Sequence, residues 1–412
     1  MNNVKQPLLV FLAAGASADL GVPLTYKPKQ KILENIREAL SVKKYNDFLG
    51  IDPTSIDLLA NHLDTIYDRG PKWNFEHLLF ALETLESLKP SWRSKTAPKF
   101  KTMEGSLTYW RKELEPCFND SFISISKQVL YKSIHEIYSN ASATISSNPN
   151  WSHIKTFFEV LNQSFDLFIG TTNYDLLVEQ ALGWGAVEEG FRKIPKSNFS
   201  EFNGYRSDLK LMHLHGSVLY GCVNALRGNS VLHVNDLKRF DSVEIASGNY
   251  PISQTTVATG NQIDVGPLIT GFRKTERFIC EPYFSYYHHF SNLMIQTPRI
   301  LIVGYGFGDD HINNLLKRFF IWHRSNGRII FIDLLPEAQW DKWDAWIQTL
   351  NKRDFVDMVH WWTGEEMPFH GCDYPDPWKQ PEPPPDEVRI YFKGFEDAIK
   401  NHTQEIVEFL KS

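Results

Sequence analysis

Five short apolar runs, each stopped by small or polar residues, constrain this chain more than anything else in it. They are residues 8–12 (LLVFL), 165–170 (FDLFIG), 209–214 (LKLMHL), 299–303 (RILIV) and 328–333 (RIIFID). Runs of this length with little polar alternation mark strands buried on both faces, as in a parallel sheet. Between them the periodicity becomes helical, through residues 153–161, Leu177 and Ala181, and Leu315 and Phe319. Strands alternating with helices predict an α/β fold with a doubly wound, Rossmann-like parallel sheet.

From about residue 30 to residue 138 helical patterns dominate, with Ile32, Ile36 and Leu40, then Phe75, Leu78, Leu79, Leu82 and Leu85 on common faces. Such stripes ordinarily face a core. A long helical stretch between the first strand and the second predicts a helical insert capping the sheet. The expected organisation is residues 1–29 and 150–350 as the sheet domain, 30–149 as the insert, and 351–412 as a C-terminal extension. Residues 223–266 read as loops or hairpins and 340–350 as a tryptophan-rich helix. Six prolines between Pro375 and Pro385 make a stiff linker, after which 388–410 reads as a strand and a terminal helix.

With 43 Lys and Arg against 49 Asp and Glu, the net charge of -6 gives no global basic field. Direct nucleic-acid binding is therefore not expected. Cys117, Cys222, Cys280 and Cys372 are too far apart to form a Cys-x-x-Cys pair, so neither a zinc ribbon nor a redox motif is expected. So few cysteines suit a reducing, cytoplasmic compartment. No segment reaches the ~18 apolar residues of a membrane span. Residues 1–18 imitate a secretory signal, with Lys5 ahead of a short apolar core. A first strand and its turn account for the same residues.

In open parallel sheets ligands bind beyond the carboxyl ends of the strands, where the unusual residues of this sequence fall. Ala14-Gly15-Ala16-Ser17 is either a phosphate cradle at a helix N-terminus or a tight strand-to-helix turn. Gly304, Gly306 and Gly308 have the same character, and Asp309 and Asp310 read more simply as helix caps. Asp333 ends its strand where a carboxylate can accept from ribose hydroxyls or cap a helix. Asn173, taken alone, satisfies its own turn. His213 and His215 stand two apart in a presumed strand and so share a side. They would suit a metal pair, but no third ligand stands at a recognisable spacing, and no metal is expected. His215, before Gly216, suits a reactive imidazole at a strand terminus, and His213 a satisfied core histidine.

Together these motifs resemble a family. Ala14-Gly15-Ala16-Ser17 with Gly21-Val22-Pro23, then Thr171-Thr172-Asn173-Tyr174-Asp175, Leu214-His215-Gly216-Ser217 and Val303-Gly304-Tyr305-Gly306 occur in the order of the sirtuin (SIR2) fold. The resemblance spans roughly residues 8–335 and is nearer to the SIR2-like NAD hydrolases of bacterial anti-phage defence than to protein deacetylases. Phe75-Glu76 and the stretch from Pro267 to Tyr283 also resemble that branch. The deacetylases usually carry two Cys-x-x-Cys zinc pairs and continue Gly21-Val22-Pro23 with Asp-Phe-Arg. This chain has no such pairs, continues Leu24-Thr25-Tyr26, and has Thr172 where they carry Gln.

The resemblance implies that NAD is the substrate. Ala14, Gly15, Ala16 and Ser17 would cradle its pyrophosphate, and Gly304, Gly306 and Asp333 would line the adenosine end. Asn173 would hold the nicotinamide ribose and the attacking water, Asp175 the carboxamide, and His215 would act as base. The implied activity is hydrolysis of NAD to ADP-ribose and nicotinamide, gated so that NAD is depleted only in abortive infection. Homo-oligomerisation and a HerA-type ATPase partner are implied with it, while the phage trigger is not specified. A protein deacylase, an ADP-ribosyltransferase and a non-catalytic NAD or ADP-ribose sensor are the alternatives.

Overall fold

Leu8 to Leu12 lie wholly inside the protein, in the strand at the centre of its main sheet. The computed structural model describes residues 5–42, 49–67, 73–93, 114–184, 187–204, 209–222, 237–249, 253–256, 262–271, 274–323, 326–334, 378–379 and 388–412. The expected tryptophan-rich helix at 340–350 and nearly all of the proline-rich linker lie outside these residues, as does Cys372. The strands described are, in chain order, β1 (Gln6–Leu12), β2 (Phe165–Thr171), β3 (Phe191–Lys193), β4 (Phe199–Phe202), β5 (Leu211–His213), β6 (Tyr220–Cys222), β7 (Leu237–Phe240), β8 (Ser253–Thr256), β9 (Gln262–Val265), β10 (Arg299–Val303), β11 (Arg328–Ile332), β12 (Trp378–Lys379) and β13 (Val388–Tyr391).

Contacts divide the chain into two compact units. The first comprises Met1–Val22, Ala141–Ser217 and Glu281–Ser412, and the second Pro23–Asn140 and Val218–Cys280. The first unit holds the main sheet, in the order β12-β13-β11-β10-β1-β2-β5. Only β12 runs antiparallel. The six parallel strands, counted along the chain, lie in the order 3-2-1-4-5-6, so the fold is α/β and Rossmann-like with a switch point between β1 and β10.

Apolar side chains alternate between the two faces of this sheet. Leu9, Phe11, Ile300, Ile302, Ile329 and Phe331 share a core with the helices Tyr283–Gln296 and Asp310–Trp322. On the opposite face lie the helices Trp151–Ser164 and Phe395–Asn401, joined by the Phe157 and Phe395 rings at 5.6 Å. Residues 388–391 are not a separate extension. They pair in parallel with β11, from Ile329 with Val388 to Ile332 with Tyr391, and complete the sheet. The strand expected over 209–214 shortens to Leu211–His213 because Gly216, at φ +93°, closes a turn in which its amide donates to the His213 carbonyl at 3.1 Å. His215 thus lies past the strand end.

The second unit contains the helices Lys29–Leu40, Ser55–Ile66 and Phe75–Arg93, most of the helix Asp120–Thr144, and the antiparallel pairs β6–β7 and β8–β9. Its helical stripes are buried, including Ile32, Ile36, Leu40, Leu78, Leu82 and Leu85. The two sequence stretches around Phe75-Glu76 and Pro267–Tyr283 meet here. Glu76 pairs with Lys274 at 2.9 Å, and the buried Arg277 guanidinium donates to Glu83 and to the Thr270 carbonyl. Among the described residues no helix is long and apolar enough to cross a membrane.

At the switch point two glycines stand back to back. The Gly15 amide donates to the Gly304 carbonyl at 3.0 Å, as the Ala13 amide does to Val303 at 3.0 Å. A methyl group on Gly15 would fall 2.6 Å from Gly304 Cα, and one on Gly304, itself at φ +63°, 2.4 Å from Gly15 Cα. Backbone cannot yield as a side-chain tip can. Gly15→Ala should therefore cost about 1–3 kcal/mol of stability. Gly306→Ala, whose Cβ meets nothing within 4 Å, should stay within about 0.5 kcal/mol of wild type. Urea unfolding of both variants decides, and a Gly15→Ala protein as stable as wild type would overturn the packing role.

Candidate active site at the switch point

The turn after β1 differs from a phosphate cradle in one respect. Ala14–Ala18 is a helix of only five residues, and the Gly15 and Ala16 amides already donate to Gly304 and Ala13. Gly15 brings the ends of β1 and β10 together, so the expected anion contacts through the Gly15 and Ala16 amides are not available in this arrangement. Ala14 and Gly15 are part-exposed at the crevice, whereas Ala16 and Ser17 are buried. Ser17 reaches a ligand only through its neighbours.

Those neighbours are Asn173 and Asp175. The Asn173 side-chain amide donates to the Ala13 carbonyl at 3.0 Å and to Ser17 Oγ at 3.1 Å, while its backbone amide donates to Thr171 Oγ1 at 3.0 Å. These bonds tie the loop after β2 to the loop after β1 and fix which way the amide group faces. With both Nδ2 protons engaged, Oδ1 is the atom left to meet a ligand. The self-satisfied turn expected of an isolated asparagine is only part of what Asn173 does.

Asp175 is 3% exposed. Burial pushes its carboxyl up to about 6, against the opposing pull of the Ser17 hydroxyl, the Leu177 amide and His213, and with a push from Glu179. Oδ1 accepts from the Leu177 amide at 3.1 Å, and Oδ2 is buried with no partner among the described residues. A buried acceptor without a donor costs about 1–3 kcal/mol, a cost a ligand donor can remove.

His213 is fully buried, with Nε2 3.0 Å from Glu179 Oε1. Burial acts to lower its pKa, but the charge and hydrogen bond of Glu179, the charge of Glu189 and the Asn173 backbone outweigh it and leave the pKa raised. It is the core histidine of the sequence reading, paired through Nε2 with Glu179. Glu179, Glu189 and His213 bring their ligand atoms within 4.8 Å of one another.

His215 follows a different course. It is 3% exposed, and its Nε2 lies 3.1 Å from Nε2 of His311, at the start of the helix Asp310–Trp322. Asp309 completes a second group of three ligand atoms within 4.8 Å. The two histidines two apart in sequence thus belong to separate clusters, and each cluster has the third ligand that sequence spacing did not reveal. Asp309 occupies the N-cap position, yet its side chain makes no capping hydrogen bond. The adjacent Asp-Asp-His after the glycine loop was the only sequence signal for this group.

Register sets the level of the site. Thr171 of β2 pairs with His213 of β5, and Asn173 and His215 each follow two residues beyond. The loop after β10 is pinned by Asn313, whose Nδ2 donates to the Phe307 carbonyl at 3.0 Å, and by the Tyr305 hydroxyl, 2.8 Å from Asn313 Oδ1. Gly306 and Gly308 face open space. Asp333 lies just past β11, one strand farther from the switch point than β10. Its backbone bridges Tyr391 and Gly394 at 2.9 Å each.

Residues 167–328 match a family described as a SIR2-like domain. The match contains Asn173, Asp175, His215, Gly304 and Gly306 and ends before Asp333. Similar solved structures include a SIR2 homologue–NAD complex, 12% identical over 99% of this chain and 90% of that chain, with a TM-score of 0.38. A structure bearing on the mechanism and regulation of Sir2 enzymes is 12% identical over 99% and 93% of the two chains, with a TM-score of 0.38. A mutant Sir2 homologue with 2′-O-acetyl ADP ribose is 11% identical over 99% and 94%, with a TM-score of 0.38. No curated protein matches the chain.

Asp175 makes a pH prediction. A carboxyl whose folded pKa is raised stabilises the fold below its unfolded value near 3.8, and that contribution is lost as pH rises through about 6. Asp175→Asn does not titrate. Between pH 4.5 and 7.5 the stability of the variant relative to wild type should rise by about 2 kcal/mol. Urea unfolding at both pH values measures this, and a pH-independent difference would contradict the buried-acid assignment.

Proposed function

We propose that this chain hydrolyses NAD at the bond between nicotinamide and ribose, releasing ADP-ribose and nicotinamide. The observation that carries the reading is the tethering of Asn173 to Ala13 and Ser17, which engages both Nδ2 protons beside the switch point and leaves Oδ1 as the side-chain acceptor for a ligand. The SIR2-like match over residues 167–328 supports it.

Nicotinamide leaves from a cationic ring as a neutral molecule, so the leaving group needs no proton. What the residues must do is steady an electron-poor ribose and deliver water. In this reading Asn173 Oδ1 accepts from a ribose hydroxyl or from the attacking water, and Asp175 Oδ2 accepts from the carboxamide. Water attacks C1′, the C–N bond electrons depart with nicotinamide, and His215 takes the proton from water. Imidazole suits that exchange near neutral pH. Gly306 and Asp333 line the adenosine end, and the Gly15–Gly304 contact forms the floor between the two halves.

Unchecked hydrolysis would exhaust the NAD of its own cell, so the proposal includes a trigger, with self-assembly or a HerA-type ATPase as the activating partner and NAD depletion in phage defence as the outcome. The contact between His215 Nε2 and His311 favours a second reading, in which the crevice binds NAD or ADP-ribose without turning it over.

Chromatography of NAD incubated with purified protein, alone and with its co-encoded partner, should show ADP-ribose and nicotinamide appearing together. Asn173→Ala and His215→Ala should each lower turnover by about 10²- to 10⁴-fold. NAD bound stoichiometrically yet left intact under every activating condition would replace the hydrolase with the sensor. Full activity in both variants would remove these residues from the mechanism.

A further inference from the structure

His215, from the loop after β5, and Asp309 and His311, from the N-cap and first turn of the helix Asp310–Trp322, converge on one point. Two nitrogens ligating a common zinc at about 2.0–2.1 Å stand about 2.9–3.4 Å apart for angles of 90–110° at the metal. The two Nε2 atoms are 3.1 Å apart, and the ring centroids 5.4 Å apart at an interplanar angle of 44°. The third ligand atom lies within 4.8 Å of both. His311 and Asp309 are part-exposed, which leaves an approach for an ion and an open position for water.

The surroundings hold this arrangement in place. Tyr305 and Asn313 pin the loop that carries Asp309, and the Tyr287 ring lies 5.6 Å from the His311 ring. Such outer contacts orient ligands before a metal arrives. The Glu179–Glu189–His213 cluster is a weaker candidate. All three residues are buried, and His213 already forms an ion pair with Glu179 at 3.0 Å.

We propose that His215, His311 and Asp309 form a binding site for a divalent transition-metal ion of the zinc class, and that the bound ion silences the crevice. Two imidazoles and one carboxylate are the donors such an ion prefers. Coordination through Nε2 occupies the lone pair with which His215 would accept a proton. The site stands on its own geometry, and its effect on turnover rests on the role proposed for His215. A proton shared between the two imidazoles is the competing occupant of the same gap.

The test is a calorimetric titration of zinc into the full chain after chelator stripping, repeated with Co²⁺ and followed by its visible absorption. One ion per chain should bind saturably. His311→Ala and Asp309→Asn should each weaken binding by at least about tenfold, with Glu189→Gln unaffected. With 14 histidines in the chain, the variants locate the ion. Absence of saturable binding, or binding unchanged in both His311→Ala and Asp309→Asn, overturns the site in favour of the shared proton. In parallel, zinc should suppress NAD turnover and a chelator restore it. Undiminished turnover by the zinc-loaded chain overturns the silencing. A metal-free chain that never turns over NAD removes the hydrolase and leaves calorimetry to decide the site alone.

Discussion

The back-to-back contact of Gly15 and Gly304 is the constraint on which the rest of the first unit depends. Where strand order reverses, connections leave β1 and β10 in opposite directions and open a crevice between them. Here backbone closes the base of that crevice, with Gly15 bonded to Gly304 and Ala13 to Val303. A side chain at either glycine would wedge the two loops apart. The loop after β1 then carries Ala13 and Ser17 to where Asn173 can bond them. The loop after β10, held at Phe307 with φ +55° by its ring against Tyr305 and Phe331, carries Asp309 to His311 and His215. A bulky residue with positive φ is uncommon, and the buried ring offsets its strain.

Around that base polar groups are buried in an order that separates two tasks. Ser17 is wholly enclosed, accepts from Asn173 Nδ2 and pulls against the upward push of burial on the Asp175 carboxyl, so it acts on both without facing a ligand itself. His213 and Glu179 neutralise one another beneath them. Removing one partner of such a buried pair is costly because the other charge is left uncompensated. Asn173 Oδ1, Asp175 Oδ2 and the His215 group hold the atoms with hydrogen-bonding or ligating capacity toward a ligand. A rigid polar support beside groups able to meet a ligand is what a preorganised site requires.

The strands were legible because burial on both faces demands continuous apolar runs, and 8–12, 299–303 and 328–332 carry nothing else but a leading arginine. The positions of Asn173, Asp175 and His215 beyond strand ends were legible because each follows an apolar run, while the roles proposed for them come from the resemblance. β13 was legible as a strand but not as a member of the main sheet, since a proline-rich stretch precedes it and its pairing with β11 is set by a neighbour more than fifty residues earlier. The role of Gly15 was half legible: a small residue was clearly needed, but whether a phosphate or another glycine required it depends on which strand lies beside β1. Asp309 looked like a helix cap because its position is that of a cap, and only the fold shows that its side chain does not serve there.

His311 stands 96 residues from His215, and no local spacing rule joins them. They meet because the loops after β5 and β10 both lean over the ends of β1 and β2, the two strands that separate them in the sheet. That geometry gives His215 a neighbour able to share a proton or a metal ion with it. An imidazole whose Nε2 is engaged is a poorer base than one that is open, and control over that engagement is control over the reaction proposed for the site. In the proposed NAD hydrolase the restraint can thus act at the proposed base, through whatever occupies the 3.1 Å gap between two imidazole nitrogens.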